Sequence, residues 1–112
     1  MNAAGSLGFA PPVRKPTNGG RVRDLGAFIT NPISLRARAP TAAPVCIEYA
    51  GGFLLHTGLP NPGLLSVIEH YAGRWARADL PVIVHLMADR PEETRRLIGL
   101  LDGLENVLAA EL

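Results

Sequence analysis

The sequence predicts an α/β chain built on a parallel sheet, and three observations carry that prediction. Val82-Ile83-Val84-His85-Leu86 is nearly all apolar and largely β-branched, as suits a parallel strand covered on both faces. Apolar residues recur at helical spacing in the stretch before Pro81 and again in the stretch after Asp89. Short apolar runs at 27–30 and 107–110 stand outside these helices. Strands and helices therefore alternate, as βαβ units require.

Composition narrows the class of partner. The 112 residues are 47% hydrophobic and 19% charged, with a net charge of +1, which describes an ordinary soluble interior. A basic excess for nucleic acid is missing. So are an apolar run long enough for a bilayer and a charged region followed by an apolar core at the start, the mark of a signal peptide. Cys46 is the sole cysteine and cannot form an intramolecular disulfide, so a reducing, cytoplasmic setting is expected.

Residues 2–20 are rich in Gly, Pro and Asn and read as loop. Within them Asn2-Ala3-Ala4-Gly5 is either a flexible tail or a backbone able to approach a planar ligand. A short helical turn is expected at 21–25. The run 27–30, bounded by Gly26 and Asn31-Pro32, fits a buried strand. Residues 33–38 alternate, Ile33 and Leu35 against Ser34, Arg36 and Arg38. The two arginines form either a solvated strand edge or an anion contact. Residues 39–44 are loop, and 45–49 form an edge strand pairing with 33–38 or with 54–57.

The stretch 51–63 is a glycine-rich loop that launches a helix. Asn61 is read as the cap and Pro62 as the first helical residue. Over 62–76, Leu64, Leu65, Ile68, Tyr71, Ala72 and Trp75 make one apolar face, and Glu69, Arg74 and Arg77 take the other. Asp89, Pro91 and Glu92 suggest a capped start for the next helix. Leu97, Ile98, Leu100, Leu101 and Leu104 form its buried face, and Asp102-Gly103 ends it. Residues 107–112 read as a buried strand.

With residues 1–5 as the stub of an earlier strand, the pieces match the first four strands of a (β/α)8 barrel. Such a barrel needs about 250 residues. The expectation is therefore one partial domain, 1–112, the N-terminal half of a barrel. Its open sheet edges predict a homo-oligomer or a completing chain. His56, His70 and His85 lack metal-ligand spacing with Cys46 or an acidic pair, so no metal is expected. His56 is either an exposed loop residue or a proton-exchanging group. His85 is either a hydrogen-bonded core histidine or one facing a barrel interior. His70 falls on the solvent side of its helix.

Four segments in order resemble the dihydroorotate dehydrogenase family. Asn2-Ala3-Ala4-Gly5 is similar to its Asn-Ala-Ser-Gly segment after the first strand. Residues 29–38 resemble its Thr-Lys-Thr-Val-Thr-Leu segment after the second. Gly52 to Gly63 resembles its Gly-Met-Leu-Asn-Ala-Ile-Gly-Leu-Gln-Asn-Pro-Gly loop, and Ala110-Glu111-Leu112 resembles the strand leading into its Asn-x-Ser-Cys-Pro-Asn loop. The resemblance implies an FMN-dependent (β/α)8 oxidoreductase of pyrimidine biosynthesis acting on dihydroorotate or a related small cyclic substrate. It places Ala3, Ala4, Gly5, Thr30 and Asn31 near FMN, and Leu55, His56, Thr57, Gly58, Leu59 and Asn61 on the substrate side. The family's base, a Cys or Ser, and its phosphate-gripping loops fall beyond Leu112, so no catalytic residue is assigned here. Three positions depart from the family. Asn31 stands for a Lys that touches flavin and substrate, Pro32 for a hydroxyl residue, and Leu55 for an Asn that bonds the orotate ring. These departures leave a second reading, a non-catalytic half-barrel module that oligomerises or complements another chain.

Overall fold

The computed structural model describes residues 1–12, 25–43 and 45–112. The turn expected at 21–25 lies, but for Leu25, outside the described residues, as do loop residues 13–20. The elements are β1 (Phe28–Ile29), β2 (Ile33–Ser34), β3 (Cys46–Tyr49), β4 (Gly52–Leu55), α1 (Leu64–Ala76), β5 (Val82–Met87), α2 (Pro91–Leu101) and β6 (Val107–Glu111).

The β-branched run Val82-Ile83-Val84 opens β5, the strand on which the sheet is built. β1 and β2 lie parallel to it on one side, with Phe28 opposite Val82, Ile29 opposite Ile83, Ile33 opposite Leu86 and Ser34 opposite Met87. The first side advances four residues while β5 advances three. One extra residue is accommodated at Thr30-Asn31-Pro32, as in a bulge, where Pro32 has no N–H to lose from a ladder. β6 lies parallel along the other side. The expected parallel α/β sheet is thus present.

Residues 1–5 form a loop and not the stub of an earlier strand. The Asn2 side chain takes the strand's place. It accepts from the Ile29 N–H and donates to the Ile29 carbonyl, both at 2.8 Å. A carboxamide carries the same donor and acceptor as a peptide, so one side chain satisfies the edge of β1.

Alternation along β5 sorts the sheet into two faces. Val82, Val84 and Leu86 are buried with Leu64, Val67 and Trp75 of α1 and Leu97 and Leu101 of α2. Each such burial contributes about 1.5–3 kcal/mol. Ile83, His85 and Met87, on the other face, are half-buried. The sequence reading of β5 as covered on both faces is corrected: among the described residues, helices cover one face only.

Both helices start differently from expectation. α1 begins at Leu64, two residues after Pro62, with Gly63 in the cap position and no side-chain cap. The Asn61 side chain turns towards Ser34 instead. In α2, Arg90 takes the cap position without a side-chain bond, so Asp89 does not cap. Pro91, Glu92 and Glu93 in the first turn still suit the positive end of the helix dipole. Leu65 and Ile98 are exposed, while Val67 joins the core. Each exposed residue follows a core residue by one position, about 100° around the helix. Gly103, with φ 77°, follows α2 as expected for a helix end.

β6 is an exposed edge and not a buried strand: Leu108 is 70% exposed. Asn106 anchors its start, its carboxamide nitrogen within 2.9–3.2 Å of the carbonyls of Trp75, Ala78 and Leu80. The Trp75 indole N–H donates to Phe9 O at 2.8 Å, tying the segment before residue 12 to α1. β3 and β4 form a separate antiparallel hairpin, with Cys46 opposite Leu55 and Tyr49 opposite Gly52. This decides between the two pairings left open for 45–49. The strand expected over 33–38 ends at Ser34, beyond which only Arg38 bridges to Asn61.

Candidate functional site

Sites on parallel α/β sheets form at the carboxyl ends of the strands. Here those ends carry Thr30-Asn31-Pro32 after β1, Ala88-Asp89 after β5, and Glu111 at the end of β6. The loop at residues 2–8 is fastened beside them. Asn31 N–H donates to Gly8 O at 2.8 Å, and Gly8 N–H donates to the Asn31 side-chain oxygen at 3.0 Å. Ser6 closes the turn by donating to Ala3 O through its hydroxyl at 2.6 Å. Ala3 and Gly5 stay exposed and Ala4 half-buried. Gly5 has φ 81°, and a methyl group there would meet only Pro32 Cδ at 3.8 Å. The five residues named for a flavin are therefore neighbours.

They are not equally available. Thr30 is fully buried. Its hydroxyl donates to Asn31 O at 2.9 Å and accepts from the His85 N–H at 3.0 Å, so it bridges the interruption between β1 and β2. Asn31 is half-buried. Its oxygen is engaged by Gly8, while its Nδ2 makes no hydrogen bond among the described residues.

The stretch named for substrate splits in two. Leu55 ends β4, and Leu55 and His56 are exposed, with His56 N–H donating to Val45 O at 2.8 Å. From Thr57 to Gly63 the chain is fixed by polar contacts. Thr57 O accepts from Thr41 N–H at 3.0 Å, and Gly58 O accepts from Arg38 Nε at 3.1 Å. Asn61 is 6% exposed. Its oxygen accepts from the N–H of Ser34 at 3.2 Å and of Gly63 at 3.0 Å, and its nitrogen donates to Leu59 O at 3.1 Å. Leu59 has φ 48°, a conformation uncommon outside glycine. Contacts from Thr57 Oγ1 and Asn61 hold it there, with its side chain outward.

A pair not foreseen in the sequence joins β5 to β6. His85 Nδ1 lies 3.0 Å from a Glu111 carboxylate oxygen, and the two residues are in register. The signal was available only as two polar residues in consecutive apolar strands. His70, by contrast, bonds Ser66 O of its own helix at 2.7 Å. A cleft lined by Ala88, Asp89, Arg90, Pro91 and Thr94 opens at the start of α2 and includes none of the residues named for the flavin or substrate. Among the described residues no group of three His, Cys, Asp or Glu side chains is placed to hold a metal, and no helix is long and apolar enough to cross a membrane.

No family model matches the chain. Curated relatives do, along all 112 residues. The protein of Desulforudis audaxviator is 31% identical, that of Pelobacter propionicus 32% and that of Geobacter sulfurreducens 30%. Each is named dihydroorotate dehydrogenase B (NAD(+)), catalytic subunit. The chain spans 36% of the length of each. From its first residue to its last, the chain is similar to catalytic subunits of the dihydroorotate dehydrogenase family.

Proposed function

We propose that the chain serves a dihydroorotate-dehydrogenase-like, FMN-dependent oxidoreductase of pyrimidine biosynthesis, acting in the cytoplasm on dihydroorotate or a related small cyclic substrate. The observation that carries this reading is the unbroken match of all 112 residues to catalytic subunits of that name. The loops that the family resemblance names for the flavin, at residues 3–5 and 30–31, lie together at the carboxyl end of β1. A catalytic subunit implies a companion, and the exposed edge of β6 and the apolar hairpin favour a completing chain or a second copy.

The residues present fit a flat ring in part. The open backbone of Ala3, Ala4 and Gly5, with room beside Gly5, suits a ring edge. Asn31 Nδ2, which makes no hydrogen bond among the described residues, would donate to a ring carbonyl or nitrogen. Thr30 supports this loop from beneath, since its hydroxyl is already used. When bound, FMN supplies a hydride acceptor for a saturated carbon of the substrate. Leu55, exposed at the end of β4, offers apolar contact where the family offers a hydrogen bond. A site stripped of such a bond discriminates its substrate less well, which favours a substrate related to dihydroorotate over dihydroorotate itself.

The test is the absorption spectrum of the purified protein after addition of FMN, followed by titration with orotate. Bound flavin is expected. Asn31→Lys with Leu55→Asn should tighten orotate binding by at least tenfold if those positions set the substrate. A folded protein that takes up no flavin overturns the reading.

A further inference from the structure

Tryptophan occurs once in the chain, near the end of α1, and it is fully buried. A buried indole N–H calls for an acceptor. Trp75 finds one outside its helix, in Phe9 O at 2.8 Å, 66 residues away. Arg74 repeats the contact, its guanidinium donating to Pro11 O at 2.7 Å while lying 5.5 Å from the centre of the Tyr71 ring. Phe9 packs on that same ring, with centroids 5.8 Å apart, and Ala10 is buried in the core. Residues 9–11 are thus pinned to α1. The residue before them is pinned to the sheet. Gly8 exchanges two hydrogen bonds with Asn31, and its φ of 85° turns the chain between the two anchors, in the region that favours glycine. An added Cβ there would meet nothing within 4 Å, so the turn and not crowding calls for glycine.

Upstream of Gly8 the loop is an arch held at its ends. Ala3, Gly5, Ser6 and Leu7 are exposed. Apart from the turn that Ser6 makes with Ala3, its shape follows from Asn2 on β1 and Gly8 on Asn31. The Gly8 N–H also decides how the Asn31 carboxamide points. It donates to the side-chain oxygen, which leaves Nδ2 on the other side. We propose that Trp75 is a positioning residue for the flavin site, acting through Phe9 and Gly8 to set the Asn31 carboxamide and the arch at 3–7. Arg74 acts with it through Pro11. The inference rests on the function proposed above. An arch whose far end is fixed in advance loses less freedom when a flat ring binds, and such preorganisation is read as affinity.

The experiment compares Trp75→Phe with the parent chain by amide exchange and by FMN titration followed through flavin fluorescence. Phenylalanine keeps an aromatic ring and removes the N–H donor. Exchange at Gly8 and Asn31 should quicken about fivefold to tenfold relative to Phe28, whose N–H donates to Pro81 O at 2.9 Å within the sheet. FMN affinity should fall by a similar factor, about fivefold to tenfold. Arg74→Met removes the donor to Pro11 O and keeps an unbranched side chain. It should move both readouts in the same direction by about twofold or more, and it decides the matter if Trp75→Phe does not fold. Leu97→Ala controls for stability alone. Leu97 is a buried residue of α2, and its loss should leave the FMN affinity of the folded chain unchanged. Unchanged affinity in folded Trp75→Phe, or in Arg74→Met where the first variant does not fold, overturns the inference and leaves the proposed function standing. So does weaker binding with Gly8 and Asn31 still protected, or an equal loss of affinity in Leu97→Ala. A folded parent chain that binds no FMN overturns both.

Discussion

Two halves of one glycine-rich stretch have opposite fates. Gly52 to Leu55 becomes β4, half of a two-stranded hairpin whose Ile47, Tyr49, Phe53, Leu54 and Leu55 are all exposed. Gly58 to Gly63 becomes a loop packed so closely that two of its glycines have no room for a methyl group. The hairpin is apolar yet among the described residues pairs only with itself, and a lone two-stranded hairpin is marginal in water. The loop is held by backbone approach and by a buried carboxamide. The difference teaches that apolar content does not by itself fix a segment. Satisfied polar groups at close range can hold an irregular loop more firmly than exposed leucines hold a hairpin.

The largest break in this comparison should come from Gly63→Ala. Gly63 has φ 84° and ψ 154°, and an added Cβ would lie 2.9 Å from Ala37 N and 3.0 Å from Arg36 C. Backbone strain and overpacking each cost about 1–3 kcal/mol, so a loss of roughly 3–5 kcal/mol is expected, read as a fall in the urea midpoint. Gly52→Ala is the matched change in the hairpin. Its φ is 146°, but the nearest atom to an added Cβ is the Tyr49 hydroxyl at 3.8 Å. Its cost should stay near 1 kcal/mol, the strain alone.

Asn61→Ala comes next. It removes the acceptor for two buried N–H groups, those of Ser34 and Gly63. Leaving such groups unpaired costs about 1–3 kcal/mol, and unfolding by urea with an unchanged slope would record it. Amide exchange at Gly63 should quicken together with exchange at Arg38, whose N–H donates to Asn61 O. Protection at Arg38 left intact in Asn61→Ala would show that the loop is held by the glycines alone.

These changes also mark what the sequence can show. β5 was legible because a run such as Val82-Ile83-Val84 satisfies a parallel strand locally. The alternation of strands and helices followed from Pro81, Gly103 and helical periodicity, all of them local signals. Asn61 was misread because capping is a local rule, and its actual partner, Ser34, lies 27 residues away. The resemblance places Thr30 near FMN, but no local signal shows that its hydroxyl closes a gap between strands on to His85, 55 residues on. The His85–Glu111 pair needed the register of β5 on β6, which periodicity does not give. The helix-covered face was readable from residue type. The open face was not, because Ile83 and Met87 are as apolar as Val82 and Val84.

The smallest effect is expected on the exposed side of the comparison. Leu54 is 64% exposed and lies opposite Ile47 in the hairpin. Leu54→Thr keeps strand propensity and removes apolar surface that the fold leaves uncovered, so the urea midpoint should move by no more than about 0.5 kcal/mol, as for most surface substitutions. Leu97→Ala, in the covered core, should cost about 2–5 kcal/mol. The contrast becomes sharper if the Leu54→Thr measurement is repeated over a range of protein concentrations. A midpoint that is independent of concentration in both proteins fits a hairpin that stands alone. If the parent's stability rises with concentration and that of Leu54→Thr does not, the leucine is covered by a second copy, since association stabilises a fold by mass action. The two halves of the glycine-rich stretch would then differ only in where their partners come from, the loop's from within the chain and the hairpin's from another molecule.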